Sequence, residues 1–578
     1  MLAGCAGAAA PSGTAPRLAA GRAAVVTGRP IIPSSWALAD RAAPVTGAHV
    51  MVVSAHPLAS RVGADVLRKG GNAIDAAVAV GFALAVVLPD AGNIGGGGFI
   101  VSRDQDGRVR ALDYRETAPG QASRDMYLDA AGNPTDKSLT GHLAAGVPGS
   151  VAGLYEAWKT LGSGRLDWAE LVAPAVKLAR DGHEIDQSRS RSIAGEADRL
   201  TRFPASRRQF LVDGRAPEVG ALWQQPDLAR TLQLIADSGP SVFYQGQIAD
   251  LIVAEMEHGG GLITKDDLKR YRARWRSPIQ LSYRGHTIYS MPPPSSGGVT
   301  MGQILNILEG FDTLPPLGSA AYVHLEAEAM RRAFMDRNRW LGDPDVVDMP
   351  LKRLLSKSYA AGLRAEIDPR RATPTPPFVA AARDGGHTTH YSVVDSAGNT
   401  VSVTTTLNGG FGSAVTVAGA GFLLNNEMDD FATAPGKPNM YGLVQGEANA
   451  VAPGKRMLSA MTPSIVLDPD GRLFMVVGTP GGPTIITSVF QVIVNVVDHG
   501  MSLSDAVAAP RVHHQALPDR ILYERGGLSE EAVAALRALG HTVEMRRGYS
   551  GNIAAIQRAA AGWVGVHDPR SGGGSAGW

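Results

Sequence analysis

A layered α+β protein, with helices laid over packed sheets, is what this chain of 578 residues predicts. Three observations carry that expectation. Two β-branched hairpins stand late in the chain, 390–395 with 400–406 and 463–467 with 472–478. An earlier strand pair at 99–114 precedes a long stretch, 143–271, whose apolar spacing is mostly helical. Strand pairs and helices in both halves are the signature of sheets covered by helices. At roughly 150 residues per domain the length suggests about four units, a count that large layered proteins often escape. Hydrophobic residues at 44% and charged residues at 19% fit a globular chain. Lys+Arg at 55 against Asp+Glu at 54 leaves +1, so no net field draws in nucleic acid or anionic membrane.

In order along the chain, 48–55 reads as a strand ending at His56-Pro57. A helix follows, with Pro57 in its first turn and Gly70-Gly71 as its stop. Asn72 caps the next helix with Asp75 three positions on. Its apolar run, 76–88, is shorter than the ~20 residues of a spanning helix and reads as buried, so no transmembrane span is expected. The glycine cluster 95–98 enters a strand at 99–103, and Asp104-Gln105-Asp106-Gly107 turns it back as 108–114. Within 143–271, Ser163-Gly164 and Thr264-Lys265-Asp266-Asp267 read as caps, and the polar, Arg-rich 186–216 as surface loops. A second mixed region opens near Pro278 with strand, turn and strand over 279–289, then the rigid 291–298. Pro369, Pro374, Pro376 and Pro377 mark 369–386 as an extended linker. Helices are expected near 485–498 and 529–539, and no internal repeat is visible.

The lone cysteine, Cys5, rules out an intramolecular disulfide framework and a Cys-based zinc site. Leu2-Ala3-Gly4-Cys5 resembles the lipobox of bacterial lipoprotein precursors, but no charged n-region or long apolar h-region precedes it. Two readings stay open, a start upstream of Met1 or a chance match in an Ala/Gly-rich tail. A nearly cysteine-free body suits an oxidising compartment, so periplasmic or secreted placement is expected, with Cys5 a candidate lipid anchor. Residues 1–45 read as a flexible leader.

Most chemistry is excluded by elimination. There is no Gly-x-Ser-x-Gly elbow and no His-Glu-x-x-His. His513 and His514 are adjacent and would face opposite sides of a strand. The 95–98 glycines lack the Gly-Lys-Ser/Thr ending of a phosphate loop, and no cofactor is implied. What remains is Gly386-His387-Thr388-Thr389-His390, between the linker and the first late hairpin. Paired threonines are commonly strand filler. The sharper reading is a precursor that cuts itself before Thr388, whose hydroxyl then attacks an acyl donor with its own new α-amine as base. That amine titrates near 7.7–8, so much of it is neutral at physiological pH.

Several segments resemble the gamma-glutamyltranspeptidase family of N-terminal nucleophile hydrolases. They are Gly70 with Gly71-Asn72-Ala73-Ile74-Asp75-Ala76-Ala77, the run Gly92 to Phe99, and Asp113-Tyr114-Arg115-Glu116. Met291 to Gly298, Thr388-Thr389-His390-Tyr391-Ser392 and Leu424 to Phe431 follow. Lys455 to Pro463 and Pro480-Gly481-Gly482 complete a set that runs in family order to Asp568-Pro569-Arg570. Each is weak alone and the set is specific. The resemblance implies a four-layer αββα sandwich and a cut that leaves a large subunit, 46–387, bound to a small one, 388–578. It implies Thr388 as nucleophile, Thr406 as the hydroxyl that positions it, and the N–H groups of Gly481 and Gly482 as oxyanion hole.

For the donor, the resemblance places the γ-glutamyl α-carboxylate on Arg115 and Ser459, and the α-ammonium on Asn408, Glu427 and Asp430. Tyr441 would close over them from a lid loop, 435–441. The expected activity is hydrolysis of glutathione and γ-glutamyl amides, with transfer to amino acid, peptide or water acceptors. One departure stands out: the family usually has two serines where this chain has Ser459-Ala460. The alternatives are a cephalosporin or glutaryl acylase on the same frame, or an uncleaved binding protein. A donor without an α-amino group would leave Glu427 and Asp430 unpaired, which favours the γ-glutamyl reading.

Overall fold

The computed structural model describes residues 32–38, 42–375 and 388–578. Cys5, most of the leader, and Pro376 to His387 lie outside the described residues.

Two seven-stranded sheets form the centre. The first runs Gly574–Gly577, Met51–Ser54, Thr388–Val394, Thr400–Thr406, Gly97–Arg103, Val109–Asp113, Arg274–Arg276. The second runs Val45–Gly47, Gly562–His567, Ala554–Ala559, Leu473–Val477, Ser464–Leu467, His286–Ser290, Ile279–Tyr283. Every pairing in both is antiparallel. Each sheet thus interleaves strands from before Thr388 with strands from after it.

Side-chain alternation explains how the sheets stack. Tyr391 and Val393 join Val401 and Val403 in one core with the helices Ala73–Val87 and Trp168–Asp181. Val394 faces the other way, into a core shared with Ile465, Leu473 and Val476 of the second sheet. Beyond that sheet, Ile288, Val466 and Met475 pack against the helices Gly297–Glu309, Ala320–Trp340 and Thr484–Val497. The result is helix, sheet, sheet, helix: the expected αββα sandwich. Strands buried on both faces need no polar alternation, which is why Thr388–Val394 and Thr400–Thr406 are buried throughout.

The Asn72 capping box forms as expected, and every residue of Ala73–Val87 is buried. Among the described residues no helix is long and apolar enough to cross a membrane. Two local expectations need correction. The segment 186–216 is not loop: Asp186 caps a helix, Gln187–Thr201, and Pro204–Phe210 follows. Only Ile193, Leu200, Phe210 and a few others are buried there, an apolar stripe too thin to see among the arginines. Ser163-Gly164 is not a cap either, because the helix begins at Trp168 under an Asp167–Glu170 capping box.

Candidate active site

Thr388 opens the strand Thr388–Val394 and pairs in register with Thr406. Its Oγ1 donates to Thr406 Oγ1 at 3.2 Å, and Thr406 Oγ1 accepts the Asn408 N–H at 2.7 Å. On the strand's other side Met51–Ser54 pairs only with Tyr391–Val394. The sheet therefore opens beside Thr388, where Ala55, His56 and Pro57 line a cleft of about 780 Å3.

Gly481 and Gly482 face the same threonine from the segment before Thr484–Val497. Both have positive φ, +135° and +57°. Neither N–H is committed to a partner among the described residues. Two uncommitted donors thus stand just before a 14-residue helix, at the end where its dipole favours negative charge. A Cβ at Gly482 would lie 3.0 Å from the Tyr441 ring, in a conformation L-residues resist. Gly482→Ala is therefore expected to lower kcat about a hundredfold or more with a smaller change in KM, measured by steady-state kinetics of the purified variant.

A second, much smaller cavity of about 20 Å3 adjoins Thr388 on the far side. Arg115, Arg337, Asn408, Glu427, Asp430 and Ser459 line it. Arg115 follows the strand Val109–Asp113 and is fixed by its N–H to Asp113 and its Nε to the Met457 carbonyl. The short 3-10 turn Glu427–Asp430 brings both carboxylates to one side. Arg115 Nη1 lies 2.7 Å from Glu427 and Nη2 donates to Asp430, with Glu116 3.6 Å away. Yet Arg115 Nη1 and all four carboxylate oxygens of Glu116 and Glu427 lack a hydrogen bond of good geometry. One arginine thus faces three carboxyl groups, and much of their hydrogen-bonding capacity is unspent.

Burial sets the electrostatics here. It pushes Glu427 well above the usual carboxylate range, Glu116 up to about 8, and Asp430 upward, each against the pull of Arg115. Arg337 is lowered to about 10 by the same burial. It donates to Ser296 Oγ at 3.0 Å, and Ser296 in turn donates to the Ser459 carbonyl. Ser459 Oγ accepts the Met461 N–H, and Ala460 lines the cavity with a methyl group.

Tyr441 lines both cavities and stands between them. Its hydroxyl donates to Asn408 Oδ1 at 2.7 Å, while its carbonyl accepts from Gln515. Asn408 is thereby occupied at Oδ1 by tyrosine and at Nδ2 by the Asn426 carbonyl. All ten residues singled out from the sequence, Thr388, Thr406, Gly481, Gly482, Arg115, Asn408, Glu427, Asp430, Ser459 and Tyr441, line these two adjoining spaces. Sequence reasoning passed over Glu116 and Arg337. Glu116 belongs to the segment Asp113-Tyr114-Arg115-Glu116, but Arg337 is one of several arginines in Ala320–Trp340 and carries no local signal.

The gamma-glutamyltranspeptidase family model matches residues 59–578. This chain belongs to the gamma-glutamyltranspeptidase family. It is 46% identical over 534 residues to a glutathione hydrolase proenzyme of Escherichia coli strain K12, covering 91% of each chain. A glutathione hydrolase proenzyme of Pseudomonas sp. strain A14 is 48% identical, over 86% of this chain and 87% of that one. Among solved structures, a cephalosporin acylase from Bacillus halodurans superposes with a TM-score of 0.83 at 29% identity, over 95% of this chain and 99% of that one. The gamma-glutamyltranspeptidase sandwich is of the N-terminal nucleophile hydrolase type.

Proposed function

We propose that this protein is a self-processing γ-glutamyl acyl-transfer enzyme, cut before Thr388, that hydrolyses glutathione and related γ-glutamyl amides and passes the group to amino acids or peptides. The observation that carries the reading is the placement of Thr388. Its hydroxyl lies against Thr406, between two free glycine N–H groups and a buried pocket holding both signs of charge. Cleavage of the 387–388 bond would free the Thr388 amine and divide the chain into subunits 46–387 and 388–578.

With that amine freed, the groups around Thr388 would supply the chemistry. Thr388 Oγ1 attacks the donor's γ-carbonyl carbon, and the α-amine takes the hydroxyl proton. The carbonyl oxygen becomes an oxyanion between the N–H groups of Gly481 and Gly482. The C–N bond breaks, the leaving amine takes the proton back, and a γ-glutamyl ester remains on Thr388. Water or an acceptor amine attacks that ester in the reverse sense. In the pocket, the donor's α-carboxylate would meet Arg115 and the Ser459 hydroxyl. Its α-ammonium would meet Glu427, Asp430 and the Asn408 carbonyl oxygen. A zwitterion inserted there satisfies the unspent hydrogen bonds without changing the net charge. Asn408 Oδ1 accepts the Tyr441 hydroxyl and keeps a second lone pair for the ligand.

An exported location, with Cys5 as a lipid anchor, rests on the lipobox-like Leu2 to Cys5 and on the absence of other cysteines. The acylase reading draws on the Bacillus halodurans superposition and on Ala460. Steady-state release of p-nitroaniline from γ-glutamyl and glutaryl anilides decides between the two. A γ-glutamyl preference is expected, and a glutaryl preference would transfer the protein to the acylases. Ala460→Ser would add a donor to the α-carboxylate, and a hydrogen bond to a charged group is worth roughly 1.5–3 kcal/mol. The donor KM should fall about tenfold; an unchanged KM would mean that the second hydroxyl does not reach the ligand.

A further inference from the structure

Away from Thr388, the helix Ala320–Trp340 carries His324 and Glu328 four residues apart, hence on one face. His541 comes to meet them from beyond the helix Glu530–Ala538. One ligand atom from each of the three lies within 4.8 Å of the others, and all three side chains are buried. The histidine ring nitrogens stand 2.7 Å apart, His324 Nδ1 against His541 Nε2.

The tautomers are set by the surroundings. His324 Nε2 lies 2.9 Å from the Asp368 carbonyl, which only accepts, so Nε2 carries the proton and Nδ1 presents a lone pair. An imidazole that donates its far nitrogen to a backbone carbonyl is the usual second-shell arrangement of a metal-ligating histidine. His541 Nε2 faces that lone pair at 2.7 Å from the other side of the cluster. Glu328 Oε1 accepts the Thr373 N–H and lies 3.4 Å from Arg331 Nε, and its Oε2 accepts from Thr373 Oγ1 and Arg332, so an ion has to share an oxygen with these donors. The positive charges of Arg331 and Arg332 nearby are offset by Glu328 and Asp519.

We propose that His324, Glu328 and His541 form a site for one divalent transition-metal ion of the Zn2+ class, tying the segment before Thr388 to the segment after it. Two nitrogens and a carboxylate oxygen at about 2.0–2.2 Å, with water as fourth ligand, suit that ion. Side-chain rotation has to widen the nitrogen–nitrogen gap, and the proton of His541 moves from Nε2 to Nδ1, so no proton is released. The ion takes no part in acyl transfer. It binds the folded chain only, so it raises stability with the logarithm of its concentration above the dissociation constant.

The test uses the full chain, freed of metal with a chelator and titrated with Zn2+ by calorimetry. Co2+ serves as a second probe because its visible absorption reports four-coordinate geometry. One equivalent of saturable binding is expected, with a melting midpoint that rises with Zn2+. His541→Gln and Glu328→Gln should each weaken binding by more than the 10- to 100-fold that loss of an outer-shell partner costs. Both variants are checked for wild-type melting in chelator; if one is unstable, the other and the Co2+ spectrum decide. Absence of saturable binding in the parent chain, or full-strength binding in a folded variant, overturns the site.

Discussion

Thr388→Ala is expected to leave the chain as one uncut band on a denaturing gel and to lower p-nitroaniline release by at least about 10^4-fold. Two losses combine. The hydroxyl that attacks the donor is gone, and so is the hydroxyl that would cut the chain and expose the amine serving as base. The rest of the site should stand, because Thr388 contributes one side-chain hydrogen bond, to Thr406, in an otherwise complete strand ladder. Thr388→Ser separates the two losses from a general disturbance, since it keeps both hydroxyl and amine and should still be cut. An uncut variant that turns over donor like the parent would remove Thr388 from the chemistry.

Arg115→Ala is expected to lower kcat/KM for a γ-glutamyl anilide about a hundredfold or more, through KM, and to destabilise the fold by about 3–5 kcal/mol near neutral pH. Arg115 is the buried cation in contact with Glu427, Asp430 and Glu116 at once. Without it the three carboxylates repel one another in a dry site and hold their protons further up the scale. The pH dependence has a definite sign. A carboxyl whose folded-state pKa lies above its unfolded value binds its proton more tightly when folded. Its stabilising effect is full below the unfolded value, near 4.3, and is lost as pH rises through the folded value. Glu116 already sits at about 8 with Arg115 present, so its window spans roughly 4.3 to 8. In the variant that decline should be steeper and should reach higher pH. Melting curves from pH 5 to 9 check it; a flat profile would mean that water reaches the cluster.

Much of the fold was legible because its signals are local. Asn72 with Asp75, Thr264 with Asp267 and the Asp104-to-Gly107 turn each carry their geometry in adjacent residues. The helices over 187–210 were lost because their buried stripe is thin and their arginines mimic a solvated loop. Site residues emerged where a segment matched the family's motifs, as with Arg115 and Thr388. Arg337 and the His324–Glu328–His541 cluster did not, since they are assembled by packing between distant segments. Periodicity predicts which face of a helix is buried; it does not tell what lies opposite.

The interleaving of the sheets fixes how the two products of a cut would live together. Thr388–Val394 lies between Met51–Ser54 and Thr400–Thr406, one from each side of the break, and in the second sheet strands from before the break flank four from after it. Neither fragment owns a complete sheet. Separating them would expose the three packed cores at once, so partner loss is as slow as global unfolding. Two differently tagged preparations, mixed after maturation, should therefore never trade halves, and halves expressed apart should not find each other. Each mature molecule would be a lifelong pairing of the two pieces of a single translation product.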